Sequence, residues 1–274
     1  MVAAAFGSKR IKPTPSQTEK MKVRKNLNQT ILEKIHSGAL LGMNIGRGTN
    51  LKNSGEIYVL KYIKKHLKDV TNPVIFDVGA NIGGYSKVVS EIFKDMCVIH
   101  AFEPSQKTFN EAASLLKSKP NIILNNLGLS DKEQDLLLFS DMEKSGLASV
   151  YERRLDHFNL KMDRQEKIHL TTLDNYCKKN NIDHIHFLKL DIEGHELNAL
   201  HGAKEMFSRG KIDFVQFEFG GCNIDSRTFF QDFFYFFNKD FNLYRILRNG
   251  LHPLPKYKET FEVFITTNFL AIKK

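Results

Sequence analysis

The segment 74–86, VIFDVGANIGGYS, constrains this chain more than any other part of it. Val74 to Val78 are apolar except for Asp77 and run straight into a turn holding Gly79 and Gly83, after which helical spacing begins. A strand leading through a glycine-rich turn into a helix is the opening unit of an open α/β sheet. In such sheets ligands bind beyond the carboxyl ends of the strands, near the point where strand order reverses. Gly79 and Gly83 let the backbone approach a ligand with no Cβ in the way, and the free amides of the next helix favour a carboxylate or phosphate. Two details narrow the ligand. A dinucleotide fingerprint has glycine at three positions of G-x-G-x-x-G, whereas Asn81 stands at the second here. Asp77, just ahead of the first glycine, repels a pyrophosphate and attracts an ammonium or sulfonium. S-adenosylmethionine carries both cationic groups and a carboxylate for the amides. It fits this turn, and a nicotinamide-dependent oxidoreductase is disfavoured.

Three more segments extend the site. HAFEP ends a second apolar run with Glu103, where a carboxylate can accept hydrogen bonds from ribose hydroxyls. LGLSD follows a third run, and Ser130 or Asp131 there can reach an adenine edge. LKLDIEGHE closes a fourth run with Asp191, beside the first strand, facing the donor and the acceptor. Lys189 shares a strand face with Asp191, and a lysine on a central strand is costly unless paired. The fifth run, FVQFEFG, puts Gln216 and Glu218 on one face. A Lys189–Glu218 pair, or a triad with Asp191, is therefore expected to shape the acceptor pocket. Asp191, Glu218 and His195 are the candidate general bases. A helix-start position disfavours protonated His195. Asp191 and Glu193 offer two ligands for a divalent cation, but no clear third one accompanies them, so no metal is expected.

These motifs, in this order, resemble the FkbM family of methyltransferases over roughly residues 56–274. The resemblance rests on DVGANIGGYS, AFEP, LGLSD, TTLDNYC and the closing NFLAIKK, and above all on LKLDIEGHELNALHGA. It implies a doubly wound, mostly parallel, seven-stranded Rossmann-like sheet of order 3-2-1-4-5-7-6, last strand antiparallel, with helices on both faces. It also implies S-adenosylmethionine as donor and a hydroxyl oxygen of a sugar, polyketide or similar metabolite as acceptor. By motif position, Asp77, Gly79, Asn81, Gly83 and Tyr85 would hold the methionyl part, Glu103 the ribose, and Ser130 with Asp131 the adenine side.

The periodicity agrees with alternating strands and helices. Strands are read near 74–78, 97–102, 122–124, 187–190 and 214–217, with helices at 56–67, 86–93, 108–116, 196–207 and 228–237. Phe229, Phe230, Phe233, Phe234 and Phe237 recur at helical spacing and read as a face packed on the sheet. Residues 134–163 break the rhythm and read as a hairpin or loop over one end of the sheet. Strands near 243–247 and 268–272 flank a turn-rich segment and suggest an antiparallel ending. Residues 1–55 form a separate basic extension, with a helix expected over 18–36 that ends before Gly38. At 274 residues, 42% hydrophobic and 26% charged, the chain can build a large core. No apolar run approaches the roughly 20 residues of a membrane span. Cys97, Cys177 and Cys222 have no metal-ligand spacing and read as reduced thiols of a cytoplasmic protein. The start is a poor secretory signal and a weak transit peptide. Net charge is +9, with Lys9, Arg10, Lys12, Lys20, Lys22, Arg24 and Lys25 clustered early. A solvated lysine-rich surface is the favoured reading. The alternative is a nucleic-acid-associated or non-catalytic binding protein on the same fold, although no aromatic residues are interleaved with that basic run. The expected partner is a hydroxyl-bearing small molecule or glycan.

Overall fold

The computed structural model describes residues 27–48, 51–94 and 96–274. Two compact units divide at Ala39–Leu40, and Leu40–Lys274 carries the site. Of the helix expected over 18–36, residues 18–26 lie outside the described residues. The described helix, Leu27–Gly42, continues past Gly38, because one glycine costs a helix only about 1 kcal/mol. The compact unit begins at Leu40, ahead of residue 56, and Asn44 ties its first residues to the sheet. Asn44 Nδ2 donates to the backbone oxygens of Ser54, at 2.8 Å, and Ile246, at 3.1 Å.

Strands β1 (Val74–Val78), β2 (Val98–Phe102) and β3 (Ile122–Asn125) come first, followed by β4 (Gly128–Leu129), β5 (Gln134–Ser140) and β6 (Arg164–Thr171). Then come β7 (Ile185–Leu190), β8 (Ile212–Phe219), β9 (Phe241–Leu247), β10 (Gly250–Pro253) and β11 (Thr267–Lys273). The main sheet has the order β3-β2-β1-β7-β8-β11-β9-β10. Strands β3 to β8 in that row are parallel, and β11 runs antiparallel to both β8 and β9. The expected order is present, and β10 adds an eighth strand, formed as the chain turns at Asn249-Gly250 and pairs Gly250 with Leu247.

Both faces are covered, as a mostly parallel sheet requires. One buries Phe76, Leu188, Val215 and Phe217 beneath the Phe-rich helix Phe230–Phe237, with Phe217 and Phe233 rings stacked at 4.6 Å. Phe230, Phe233, Phe234 and Phe237 are buried there, whereas Phe229 stands half exposed at the cap. The other face buries Ile75, Phe187 and Phe214 against Val59, Leu60 and Ile63 of helix Glu56–His66 and against Val89 and Phe93 of helix Gly84–Phe93. The single helix expected over 196–207 is two, Glu196–His201 and Lys204–Ser208. The second has its own cap, with Asp174 accepting from the amides of Glu205 and Met206 at 2.8 and 3.0 Å. The irregular stretch 134–163 contributes β5, whose partner β6 lies just beyond it. With β4 these make a separate three-stranded sheet around Leu138, Ile168 and Leu170.

Candidate active site

Strand alternation explains where polar groups collect. Asp77, Lys189 and Gln216 follow Ile75, Phe187 and Phe214 by two residues, so they share one face of the sheet at its carboxyl end. The parallel register sets Asp77 beside Lys189 and Lys189 beside Gln216. Lys189 Nζ lies 3.0 Å from Asp191 Oδ2 and 3.7 Å from Asp77 Oδ1. It also sits 4.6 Å above the Tyr85 ring. Burial alone would lower the lysine's pKa, but Asp191, Asp77 and Glu56 together hold it above its ordinary value. The expected Lys189–Glu218 pair is not made. Glu218 is two residues further along β8 than the residue opposite Lys189, and the lysine turns to Asp191, just past its own strand, and to Asp77 on β1.

Past β1 the chain makes left-handed turns at Gly79 (φ 84°), Asn81 (φ 48°) and Gly83 (φ 85°). A Cβ on Gly79 would stand 1.8 Å from the backbone oxygen of Asp191, so this glycine lets the ends of β1 and β7 meet. Two adjoining cavities open there, of about 670 Å³ and 430 Å³. Gly79, Asn81, Asp191 and Glu193 line both, as does Gly146 of the SGLAS stretch, which does lie over the sheet end.

The larger cavity is walled by Glu103, Gly128, Leu129 and His195 and by the small sheet. Glu103 accepts from the Ser105 amide at 2.9 Å, and burial pushes its pKa up to about 7. His195 is held at both ring nitrogens, by Ser130 Oγ at 2.9 Å and Tyr151 Oη at 3.0 Å. Burial lowers its pKa to about 4. It is neutral as expected, but neither nitrogen is free to take a substrate proton.

The smaller cavity holds Glu56, Tyr85, Arg153, Lys189, Glu218 and Cys222. Glu56 accepts from Gln216 Nε2 at 2.9 Å and Ser54 Oγ at 2.8 Å. Glu193 meets Arg153 at 2.5 Å. Burial, then the charge of Asp191, pushes the Glu193 pKa up to about 8 against that arginine. Glu196 folds the turn itself, accepting from the amides of Ile192 and Gly194 at 2.9 and 3.0 Å. Glu218 is 9% exposed, and its carboxylate takes no hydrogen bond among the described residues. Burial first, then the charges of Asp191, Glu193 and Glu196, raise its pKa well above the ordinary range.

Eight of the twelve residues expected in the site line one cavity or both: Gly79, Asn81, Tyr85, Glu103, Lys189, Asp191, His195 and Glu218. The other four lie behind the walls. Asp77 is fully buried and accepts from Ser86 Oγ at 2.6 Å, tying the next helix to β1. Gly83 packs on Leu116. Ser130 is fully buried and spends its hydroxyl on His195 and Asp131, while Asp131 is exposed outside the walls. Gly128 and Leu129 stand where those two were expected. Glu56 and Arg153 escaped the sequence reading. Glu56 left a signal, since Glu56, Leu60 and Ile63 have the i, i+4, i+7 spacing of one buried helix face. Arg153 left none.

A doubly wound sheet with a cavity at its carboxyl edge, floored by a glycine turn and flanked by a strand-end acid, is the arrangement of a Rossmann-like α/β protein whose ligand site lies beyond the strand ends. The family model described as Methyltransferase FkbM domain matches residues 77–246, and the chain belongs to that family. No curated protein matches it. Among solved structures, it is similar to an FkbM methyltransferase from Methylobacillus flagellatus, with 17% identity and a TM-score of 0.46. That match covers 73% of this chain, which spans 44% of that protein's length. A Streptococcus mutans methyltransferase in complex with SAH is 9% identical, covering 77% and 94% of the two chains at a TM-score of 0.41. Fibrillarin, a pre-rRNA processing protein of Methanococcus jannaschii, is 13% identical, covering 74% and 67% at 0.41. Among the described residues no helix is long and apolar enough to cross a membrane.

Proposed function

We propose that this chain transfers the methyl group of S-adenosylmethionine to a hydroxyl oxygen of a sugar, polyketide or related metabolite. The observation that carries the reading is Glu218, a buried carboxylate with no hydrogen-bond partner among the described residues, facing the smaller cavity beside Asp191. The residues fit the donor. Gly79 and Asn81 border both cavities, where the methionyl part would lie, and Glu103 turns a carboxylate to the larger cavity for the ribose hydroxyls. Gly128 and Leu129 offer an apolar seat for the adenine. When bound, S-adenosylmethionine supplies an activated methyl on a sulfonium.

The protein's own part is alignment and one proton. Tyr85, Asp191 and Glu193 border the smaller cavity where the acceptor would sit, and a well-aligned in-line displacement needs little else. Glu218 takes the hydroxyl proton as the C–O bond forms and the C–S bond breaks. Its carboxylate makes no side-chain bond among the described residues, whereas Asp191 already accepts from Lys189. Lys189 is a positioning residue that fixes Asp191 and Asp77. Glu218→Gln should lower kcat by roughly 10²–10⁴-fold and leave calorimetric affinity for S-adenosylhomocysteine unchanged. Retention of full turnover in that variant would remove Glu218 from the reaction. Failure of the wild-type chain to bind S-adenosylhomocysteine would remove the donor itself.

A further inference from the structure

The smaller cavity holds a cluster that methyl transfer alone leaves unexplained. Glu193 follows β7, Glu218 lies on β8, and Cys222 opens the turn of helix Cys222–Ser226. One ligand atom from each lies within 4.8 Å of the other two, and all three line the cavity. Glu218, 9% exposed, has no hydrogen-bond partner among the described residues. Glu193 spends Oε2 on Arg153, and its other oxygen accepts nothing among the described residues. The polar neighbour of Cys222 Sγ is the adjacent Asn223 side chain at 3.4 Å. Two carboxylates this close, buried Glu218 and half-buried Glu193, repel each other, and a thiol adds nothing to the binding of an ammonium or a hydroxyl. A divalent cation accounts for all three, since it neutralises both acids and takes sulfur as a third donor.

We propose that Glu193, Glu218 and Cys222 form a binding site for a thiophilic divalent cation, with Zn²⁺ the ion that fits. The sulfur donor selects against Mg²⁺, which demands oxygen ligands in octahedral array. Donors on zinc, at about 2.0–2.3 Å from the ion, stand roughly 3.5 Å apart, and rotation of the two flexible glutamates closes that difference. A fourth position faces the cavity. On binding, the Cys222 thiol proton and any proton on Glu218 leave to solvent. The consequence rests on Glu218 being the proton acceptor: the ion occupies its lone pair, so cation binding and methyl transfer compete.

The test uses the full chain, stripped with a chelator and titrated with Zn²⁺ by calorimetry. One site is expected, with no binding of Mg²⁺. Cys222→Ser and Glu218→Gln should each weaken it by more than the roughly 10–100-fold that loss of an outer-shell partner costs. The control is the other group of clustered ligands, His184, His186 and Asp213. His186 Nδ1 accepts from the Val74 amide at 3.0 Å, so its second nitrogen bears the hydrogen, and His184→Ala should leave zinc binding intact. No zinc binding, or binding that survives Cys222→Ser and is lost in His184→Ala, overturns the site. In the methylation assay zinc should lower turnover and EDTA should restore it. Zinc that binds at this site and raises turnover would overturn the competition. Loss of zinc binding with full turnover in Glu218→Gln would support the site and overturn only the base.

Discussion

Lys189 sits 3.0 Å from Asp191 and 3.7 Å from Asp77, at a depth where burial alone would lower its pKa. Its positive charge survives because Asp191, Asp77 and Glu56 surround it. Removing one partner of such a set costs roughly 3–5 kcal/mol. Lys189→Met should therefore lose about that much in urea titration near neutral pH, and restoring the charge with Lys189→Arg should recover part of it. Glu103 makes a second residue-scale prediction. Its folded pKa, raised by burial from 4.5 to about 7, means the folded state holds an extra proton between those values. Its contribution to stability is complete below pH 4.5 and is lost as pH rises through about 7. Thermal melts of the ligand-free chain should show that slope, and Glu103→Gln should flatten it. Ribose hydroxyls need the ionised acceptor, so S-adenosylhomocysteine should bind more tightly as pH rises through the same range. Charge-assisted bonds contribute about 1.5–3 kcal/mol, so Glu103→Gln should bind it about tenfold or more weakly by calorimetry.

Two glycines of one turn do different work at the scale of elements. Both have positive φ, 84° at Gly79 and 85° at Gly83, so an alanine at either carries a left-handed strain of roughly 1–2 kcal/mol. They differ in what the new Cβ meets. At Gly83 it meets Leu116 Cδ1 at 2.7 Å, the end of a side chain that can move. At Gly79 it meets the backbone oxygen of Asp191 at 1.8 Å, and only separation of β1 from the turn after β7 makes room. Gly79→Ala should thus lose clearly more stability than Gly83→Ala in chemical denaturation. Leu116→Ala should rescue part of the second loss and none of the first. Equal losses, or rescue of both, would refute this division of roles.

Across the whole molecule, a basic chain of net charge +9 encloses a small acidic chamber. Glu56, Asp191, Glu193 and Glu218 face it against Lys189 and Arg153. Burial, with the charge of Asp191, raises the pKa of Glu56, Glu193 and Glu218, so a cationic ligand should bind there favourably. A ligand at about 100 times its Kd stabilises the folded state by about 2.7 kcal/mol. Saturating S-adenosylhomocysteine should raise the melting temperature accordingly, while NAD should leave it unchanged. A shift with NAD alone would overturn the donor assignment.

Periodicity and turn chemistry are local properties, and what depends on them was legible in the sequence. The strand Val74–Val78, the turn after it and the burial of the Phe-rich helix follow from spacings within a few residues, whereas the strand order was implied by the family resemblance. The placement of Glu103 and Asp191 at strand ends follows from local spacing too. Tertiary structure decided which polar groups meet. Parallel strands take their neighbours across connections of arbitrary length, so Lys189 met Asp77 rather than Glu218. Ser130 turned inward to hold His195. Glu56, Arg153 and Cys222, far apart in sequence, came to one cavity with Glu193 and Glu218. Charge acts through space, and its partners are set by the packed sheet and the loops folded over its end, which no pattern of adjacent residues encodes.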